Sequence, residues 1–485
     1  MTQAWRAGYL PGLAEGEVQW HALEFNGVAI EVPRLAPAQL QALARRVQVA
    51  AQRELQPLPV SQVITILDAA IARLLDPRDP YRREAERLLP AVTGYDPEMV
   101  RLGLSAYLQT FRAPQLHRFV AEDFANPKVL DEFQPAAKGG WVRAFGPQLL
   151  VHSWAGNVPA LPLWSLACGL LVKGGNVGKL PSAEPVFASL FARLLAEVHP
   201  PLADCLAVVW WKGGDAQGAQ ALFGEADTVL AYGGNEAIAQ VRTQVPASTR
   251  FLGYGHKLGF GLVARSALDA QRGPDSARAA AHDIVRYEQQ GCYSPHLFYV
   301  ERGGAVGPRE FARYLAAELS NLQHRFPRRA LALEEAAALA GWRQAAELKA
   351  MQVEHADLLG DEGTAWSVAY VDAPQGLAPT AGGRSILVAA VDSLDQAVEL
   401  VAPHARFLQT AGIAAEPREL FRLGESLGRA GVTRIAALGA MTAPEAGWHH
   451  DGRFNLLDLV RMVEIEASAE RAADALAPYA QEDRR

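Results

Sequence analysis

The chain is predicted to be an α/β protein built on parallel sheets, and three observations carry that reading. From Gly140 onward, short β-prone runs alternate with helical runs at short intervals, the pattern of a parallel sheet with helices on both faces. Paired glycines, Gly213–Gly214 and Gly233–Gly234, stand at the carboxyl ends of two of these runs. Such sheets receive nucleotide phosphates there, on backbone amides and helix N-termini. The 485 residues, 50% hydrophobic and 20% charged, exceed what one core organises, so two or three domains are expected.

Residues 1–135 read as a mostly helical region packed on the sheet that follows. Short β-like pieces (Glu17–Leu23, Gly27–Val32) precede helices at Ala38–Glu54, Ile64–Leu75, Glu84–Ala91 and Asp96–Tyr107, where apolar positions repeat at helical spacing. Residues 136–250 read as a dinucleotide-binding domain. Strands at Val142–Phe145, Gln148–His152, Asn176–Lys179, Leu206–Trp211 and Thr228–Tyr232 alternate there with helices at Ala160–Leu171, Val186–Glu197, Gly218–Phe223 and Glu236–Gln244. No Gly-x-Gly-x-x-Gly fingerprint is present. Residues 251–440 form a second strand-rich unit holding Cys292, with a helix at Ala279–Glu288 before it and a strand at Leu297–Val300 after it. Residues 441–485 form a C-terminal segment returning to the cofactor domain or to an oligomer interface.

Composition removes several function classes. A net charge of −7 argues against nucleic acid as partner. Three cysteines, Cys168, Cys205 and Cys292, are too few and too scattered for a disulfide framework or a metal site, which points to a reducing cytoplasm and no metal. The N-terminus has no apolar signal core, and the apolar run Leu149–Val172 is broken by His152, Asn157 and prolines, so no membrane span is expected.

The chemistry concentrates at Tyr287–His296, Tyr-Glu-Gln-Gln-Gly-Cys-Tyr-Ser-Pro-His. Gly291 lets the backbone approach a ligand, and the thiol of Cys292 falls at a junction between elements, where reactive groups are placed. Taken alone, the stretch also fits a buried free cysteine.

The order of further motifs resembles the aldehyde dehydrogenase superfamily, and more closely its acyl-CoA reductases of the LuxC type. Gly156-Asn157-Val158-Pro159 resembles the superfamily's Trp-Asn-Phe-Pro turn. Lys179-Leu180-Pro181-Ser182 resembles Lys-Pro-Ser-Glu, Gly213-Gly214 the Gly-x-Gly turn, and Tyr232–Glu236 the Phe-Thr-Gly-Ser-Thr-Glu turn. Gly255-His256-Lys257 is similar to Gly-Gly-Lys, Gln290-Gly291-Cys292 to the nucleophile segment, and Val391–Ala397 to Val-x-Ser-Leu-Asp-Glu-Ala. Trp448–Arg453 and Asp458–Arg461 look like the LuxC-type ending.

The resemblance implies an aldehyde-dehydrogenase-like fold with a small oligomerisation element, and NADPH-dependent reduction of an acyl thioester to an aldehyde through an acyl-cysteine. It implies Cys292 as nucleophile, with the Asn157 amide and the Cys292 backbone amide as oxyanion donors. Lys179, Ser182, Gly213, Gly233 and Gly234 would hold the cofactor. The lack of an acid close to Lys179 before Glu184 favours NADPH over NADH. A thioester carried on CoA, a carrier protein or an acyl synthetase is the expected partner, and a homo-oligomer the expected assembly.

Members that hydrolyse the acyl-enzyme carry a glutamate four residues before the motif's lysine; alignment on Lys257 puts Gly253 there. General-base help is worth roughly 10²–10⁴-fold, so its absence favours thioester chemistry over acid production. Glu288 could replace that base, but reads more readily as a solvated or ion-paired helix residue. The second ribose-binding glutamate has no counterpart, its region being occupied by Pro379–Gly383. His296, His404 and His450 are candidate proton donors or thiolate partners, and also ordinary structural histidines. A helix N-terminus or the nicotinamide itself could instead lower the thiol pKa. Two other readings compete: a CoA-acylating aldehyde dehydrogenase working oxidatively with NAD, and a non-catalytic oligomeric scaffold.

Overall fold

The computed structural model describes residues 4–477 apart from Glu362 and Thr364, so the end of the expected C-terminal segment, 478–485, lies outside the described residues. Its first large sheet contains β1 (Leu149–Ser153), β2 (Gly175–Lys179), β3 (Leu206–Val209), β4 (Thr228–Tyr232) and β5 (Arg250–Tyr254). They lie in the order β5-β4-β1-β2-β3, all parallel. Helices Pro162–Leu171, Phe187–Val198, Ala216–Phe223 and Asn235–Gln244 provide the crossovers. β1 to β3 are buried along almost their whole length, as strands covered on both faces are.

The second sheet holds β6 (Leu258–Val263), β7 (Pro295–Glu301), β8 (Ala356–Gly360), β9 (Ser367–Val371), β10 (Ser385–Val391), β11 (Leu408–Ala414) and β12 (Arg434–Ala437). The order is β8-β9-β10-β7-β6-β11-β12, with only the β8–β9 pair antiparallel. One reading from sequence needs correction. β5 pairs with β4 through five residues, so it belongs to the first sheet, and the chain passes to the second sheet at Gly255–Lys257 rather than after residue 250. Glycines along Phe251–Val263 made two strands of different sheets look like one unit.

The N-terminal helices, among them Val60–Leu75, Pro80–Thr93, Pro97–Gln109 and Ala113–Asp123, share one core with the first sheet's helices and with Arg272–Val285 and Pro308–Arg325 of the second unit. The C-terminal segment returns: Arg461–Ile465 pairs antiparallel with Trp141–Phe145, which also pairs with Gln134–Pro135. Buried Asp123 anchors the return by accepting from the Leu456 and Leu457 amides at 2.5 and 3.0 Å.

Between the helix Arg272–Val285 and Cys292 the backbone does something the sequence did not announce. Tyr287, Glu288 and Gln289 are consecutive non-glycine residues with φ of 54°, 53° and 60°. Each left-handed residue costs roughly 1–2 kcal/mol, so surrounding contacts must impose the turn. Glu288 meets Arg384 in a two-pronged pair at 2.8 and 2.9 Å with both side chains at 0% exposure. Arg384 also donates to the Phe326 carbonyl and to Gln323 Oε1, each at 2.7 Å. Gln289 Nε2 donates to the carbonyls of Pro295 and Ser385, each at 2.9 Å. Tyr95 Oη donates its one hydrogen to the Asn157 carbonyl at 2.7 Å, with the Tyr287 carbonyl sharing it at 3.3 Å. The expected helix Ala279–Glu288 therefore stops at Val285, and Glu288 is ion-paired but neither solvated nor helical.

Removing one member of a buried pair strands the other charge, at a cost of about 3–5 kcal/mol. Glu288→Ala or Arg384→Ala should each lower the apparent thermal midpoint strongly at a fixed scan rate. The double change Glu288→Leu with Arg384→Met should lose less than the two single losses added together.

Candidate functional site

Two cavities meet at Cys292. The first, of about 450 Å³, lies between the helices Pro97–Gln109 and Pro162–Leu171 and the returning tail. Its inner wall is apolar and aromatic, with Tyr107, Val158, Leu161, Trp164, Tyr293 and Trp448; Gln115, Arg118, Arg286 and Glu445 add its polar lining. The second, of about 360 Å³, is walled by Asn157, Gly233, Gly234, Gly255, Gln290 and His296. Cys292, Val158, Leu161, Tyr232, Tyr293 and His450 line both.

Cys292 is part-exposed, in a turn that leads directly into β7, whereas Cys168 and Cys205 are buried. No helix starts at the thiol, so a helix N-terminus does not activate it. Burial pushes the thiol up to about 11; the Gln409 amide pulls it down, and the Asp451 carboxylate opposes ionisation. Gln409 Nε2 lies 3.4 Å from Cys292 Sγ and 2.6 Å from Asp451 Oδ1. Lys257 Nζ stands 3.9 Å from Asp451 Oδ2 and donates to the Arg406 carbonyl.

Asn157 reaches the same place from the loop after β1. Its Nδ2 donates to the Gln290 carbonyl at 2.5 Å, while its buried Oδ1 has no partner. The amide carries two N–H groups, so one remains beyond the contact to Gln290.

The three histidines separate. His296 Nδ1 accepts from the Thr380 amide at 3.2 Å, which places its proton on Nε2. Burial takes His296 and His450 down to about 4, so both are neutral near pH 7 and neither is a cationic partner for the thiolate. His450 stacks on Tyr254 at 4.4 Å and lies 4.7 Å from Trp448. His404 lines neither cavity.

The position aligned with the hydrolytic base also needs correction. A side chain at Gly253 would meet Ile238 Cγ2 at 2.9 Å, on the helix Asn235–Gln244, rather than enter a cavity. Tyr254 is the β5 residue that lines the second cavity. The conclusion drawn from the gap survives on other grounds. The second cavity has no carboxylate in its wall, and the first has only Glu445, 77% exposed and paired with Arg118 at 2.9 Å.

Lys179 ends β2 and Ser182 follows it, Gly213 follows β3, and Gly233 and Gly234 follow β4, all along one edge of the first sheet. Gly233 and Gly234 face the second cavity; Lys179, Ser182 and Gly213 do not line it. A Cβ on Gly213 or Gly234 would meet nothing within 4 Å. Lys179 has no carboxylate partner, lies 5.9 Å from the Trp211 ring, and is lowered from its ordinary pKa by burial. Ser182 Oγ accepts from Trp210 Nε1 at 3.2 Å. Buried Glu184 caps the helix Phe187–Val198, accepting from the Val186 and Phe187 amides at 2.8 Å each.

Sequence reasoning missed Gln409, Arg384 and the role of Tyr95. Each acts across a long stretch of chain and carries no local signature. Asp451 lay inside the Trp448–Arg453 run, where a carboxylate among aromatic residues was the available signal.

The family described as acyl-CoA reductase (LuxC) matches residues 55–462. A long-chain acyl-protein thioester reductase of Photorhabdus luminescens is 26% identical over 467 residues, covering 94% of this chain and 91% of that relative. One of Vibrio harveyi is 25% identical over 418 residues, covering 85% and 84%. Aldehyde dehydrogenase 21 of Physcomitrella patens, solved with the reaction product succinate, superposes with a TM-score of 0.73 at 14% identity, covering 96% of this chain and 98% of that one.

A thiol raised to about 11 reacts through its thiolate only. Alkylation of Cys292 by iodoacetamide, followed by peptide mass spectrometry, should be slow at neutral pH and rise about tenfold per pH unit well below that pKa. The buried Cys168 and Cys205 should stay unmodified until the chain unfolds.

Proposed function

The chain belongs to the acyl-CoA reductase (LuxC) family, and on that premise we propose that it loads an acyl group onto Cys292 and releases it as an aldehyde with NADPH as reductant. The observation that carries this reading is the meeting of an apolar cavity and a glycine-walled cavity at one thiol. The acyl chain lies in the first, against Trp164 and Trp448; the cofactor enters from the second, over Gly233 and Gly234.

In the acylation step, Cys292 Sγ bonds to the thioester carbonyl carbon, the carbon–sulfur bond to the carrier breaks, and the thiol proton passes to the departing sulfur. The developing oxyanion faces the second Asn157 N–H and the Cys292 backbone N–H. One such donor is worth roughly 10²–10³ in rate. Tyr95 holds the loop carrying Asn157 and the turn carrying Cys292 by the two carbonyls it bonds. When bound, a reduced nicotinamide supplies a hydride to the acyl carbon. Expulsion of the Cys292 sulfur then frees the aldehyde, and the thiolate regains a proton from solvent. Neither cavity wall offers an unpaired carboxylate to activate water against the acyl-enzyme: Asp451 lines neither and is bonded to Gln409, and Glu445 is paired with Arg118.

Three features favour NADPH. Lys179 ends β2 with no carboxylate partner among the described residues, a matching partner for a 2′-phosphate. Glu184 spends its carboxylate on helix amides, and Ser182 carries no charge to repel a phosphate. The donor is a long-chain acyl group on a protein or on CoA, by likeness to the acyl-protein thioester reductases. The enzyme works in the cytoplasm as a homo-oligomer, to which the small sheet of Trp141–Phe145 and Arg461–Ile465 contributes exposed Trp141, Met462 and Ile465. Initial rates in each direction with each cofactor separate this reading from oxidative CoA acylation with NAD.

Enzyme mixed with long-chain acyl-CoA and no reductant should show a lasting acyl adduct on the Cys292 peptide by mass spectrometry. Cys292→Ala should show none, and free fatty acid released as fast as aldehyde would refute the reading. Lys179→Ala should weaken NADPH far more than NADH in direct binding titrations; equal losses would mean that Lys179 does not read the 2′-phosphate.

A further inference from the structure

We propose that Gln409 is a further catalytic residue, whose side-chain amide donates to the Cys292 sulfur and stabilises its thiolate, while Asp451 and Lys257 act as positioning residues that fix which way round the amide faces. The proposal rests on Cys292 being the acyl carrier.

Three contacts fix the amide. An ionised carboxylate can only accept, so the Gln409 atom 2.6 Å from Asp451 Oδ1 is the NH₂ nitrogen. That same nitrogen lies 3.4 Å from Sγ, and its two hydrogens serve one acceptor each. The carbonyl end accepts from Thr410 Oγ1 at 3.3 Å, which holds the opposite edge. With the amide reversed, oxygen would face oxygen at Asp451, and the sulfur would face an acceptor.

The supporting side chains are themselves constrained. Gln409 is at 0% exposure on β11, so water does not compete for its N–H groups. Asp451 is a non-glycine residue at φ 54°, a strained position that its neighbours must hold. Lys257, at 3.9 Å, supplies the cation facing its other oxygen. The tail's Trp448–Arg453 run thereby reaches the nucleophile through one glutamine.

Such a donor is needed at two moments. Cys292 must part with its proton as it attacks, and it must leave as a thiolate when the aldehyde forms. Burial and the Asp451 charge both oppose the anion, and Gln409 favours it. Among the other groups facing the thiol, Arg434 of β12 favours ionisation, and the phenol of Tyr293 lies beside it. His450 and His296 are neutral near pH 7. Arg286 lines the first cavity. None of these side chains makes a hydrogen bond to Sγ; beside the backbone amide of Cys292 itself, Gln409 is the side-chain donor that does among the described residues.

The test is the pH profile of Cys292 alkylation by iodoacetamide, measured on the full-length chain from about pH 6 to about pH 12.5, past the thiol midpoint, with circular dichroism at each pH. Gln409→Met keeps the length and volume and removes the donor. Its midpoint should move up by about one unit, giving roughly tenfold slower alkylation at a fixed pH below the midpoint. Gln409→Glu keeps the shape and brings an acceptor to the sulfur; its midpoint should move up further. Circular dichroism reports whether each variant is folded. An unchanged midpoint in folded Gln409→Met overturns the proposal. So does a fall in the limiting rate at high pH without a shift, which marks a merely structural effect. If Gln409→Met does not fold, Gln409→Glu decides by the same profile, an unmoved or lowered midpoint being the refuting result. Alkylation needs no acyl donor, so variants that shift as expected beside a wild type that never becomes acylated would refute the functional reading and leave Gln409 only as a donor to the Cys292 sulfur, without a catalytic role.

Discussion

The site depends on a buried ion pair that touches no substrate. Glu288 and Arg384 hold a turn that three successive residues would otherwise avoid. Taking both charges out of water is expensive, and their attraction returns that cost only with good geometry and full satisfaction of the remaining donors. Both conditions are met, because Arg384 also serves the Phe326 carbonyl and Gln323. The pair ties the start of β10 and the end of the helix Pro308–Arg325 to the turn carrying the nucleophile. Tyr95 adds a tie from the N-terminal helical region to that turn and to the Asn157 loop. Parts far apart in the chain thus set the position of one sulfur.

Around that sulfur, the two cavities divide the work by polarity. One offers aromatic walls to a chain without polar groups; the other offers bare backbone to a ligand that needs close approach. The thiol at their junction is protonated at rest, with burial opposing its charge and Gln409 moderating that opposition. A resting thiol of this kind is poorly reactive toward small electrophiles near neutral pH.

Much of the fold was legible because it follows from local pattern. Strand–helix alternation from β1 to β4, the glycines after β3 and β4, and the helical spacing of Val60–Leu75 are all properties of short windows. The order of the motifs then identified Cys292, Asn157 and Lys179 together. What escaped needed contacts between distant residues. Tyr287 and Glu288 looked helical because the left-handed backbone there is held by Arg384, almost a hundred positions later. Gly253 was matched by counting from Lys257, but strand alternation turns its Cα toward Ile238 and gives the cavity to Tyr254. Gln409 had no motif of its own; its neighbours Cys292 and Asp451 come from separate segments.

The packing at Gly253 also bears on hydrolysis. Exchanging this glycine for glutamate would not by itself put a base beside the thioester. A carboxylate arriving at 253 would press into the helix Asn235–Gln244 before it met any water beside the thioester. Acquiring hydrolysis would first require the strand to shift by a residue, or a new acid on a different wall. The space beside Gly253, where an added Cβ would come within 2.9 Å of Ile238 Cγ2, therefore works against a base ever arriving by this route.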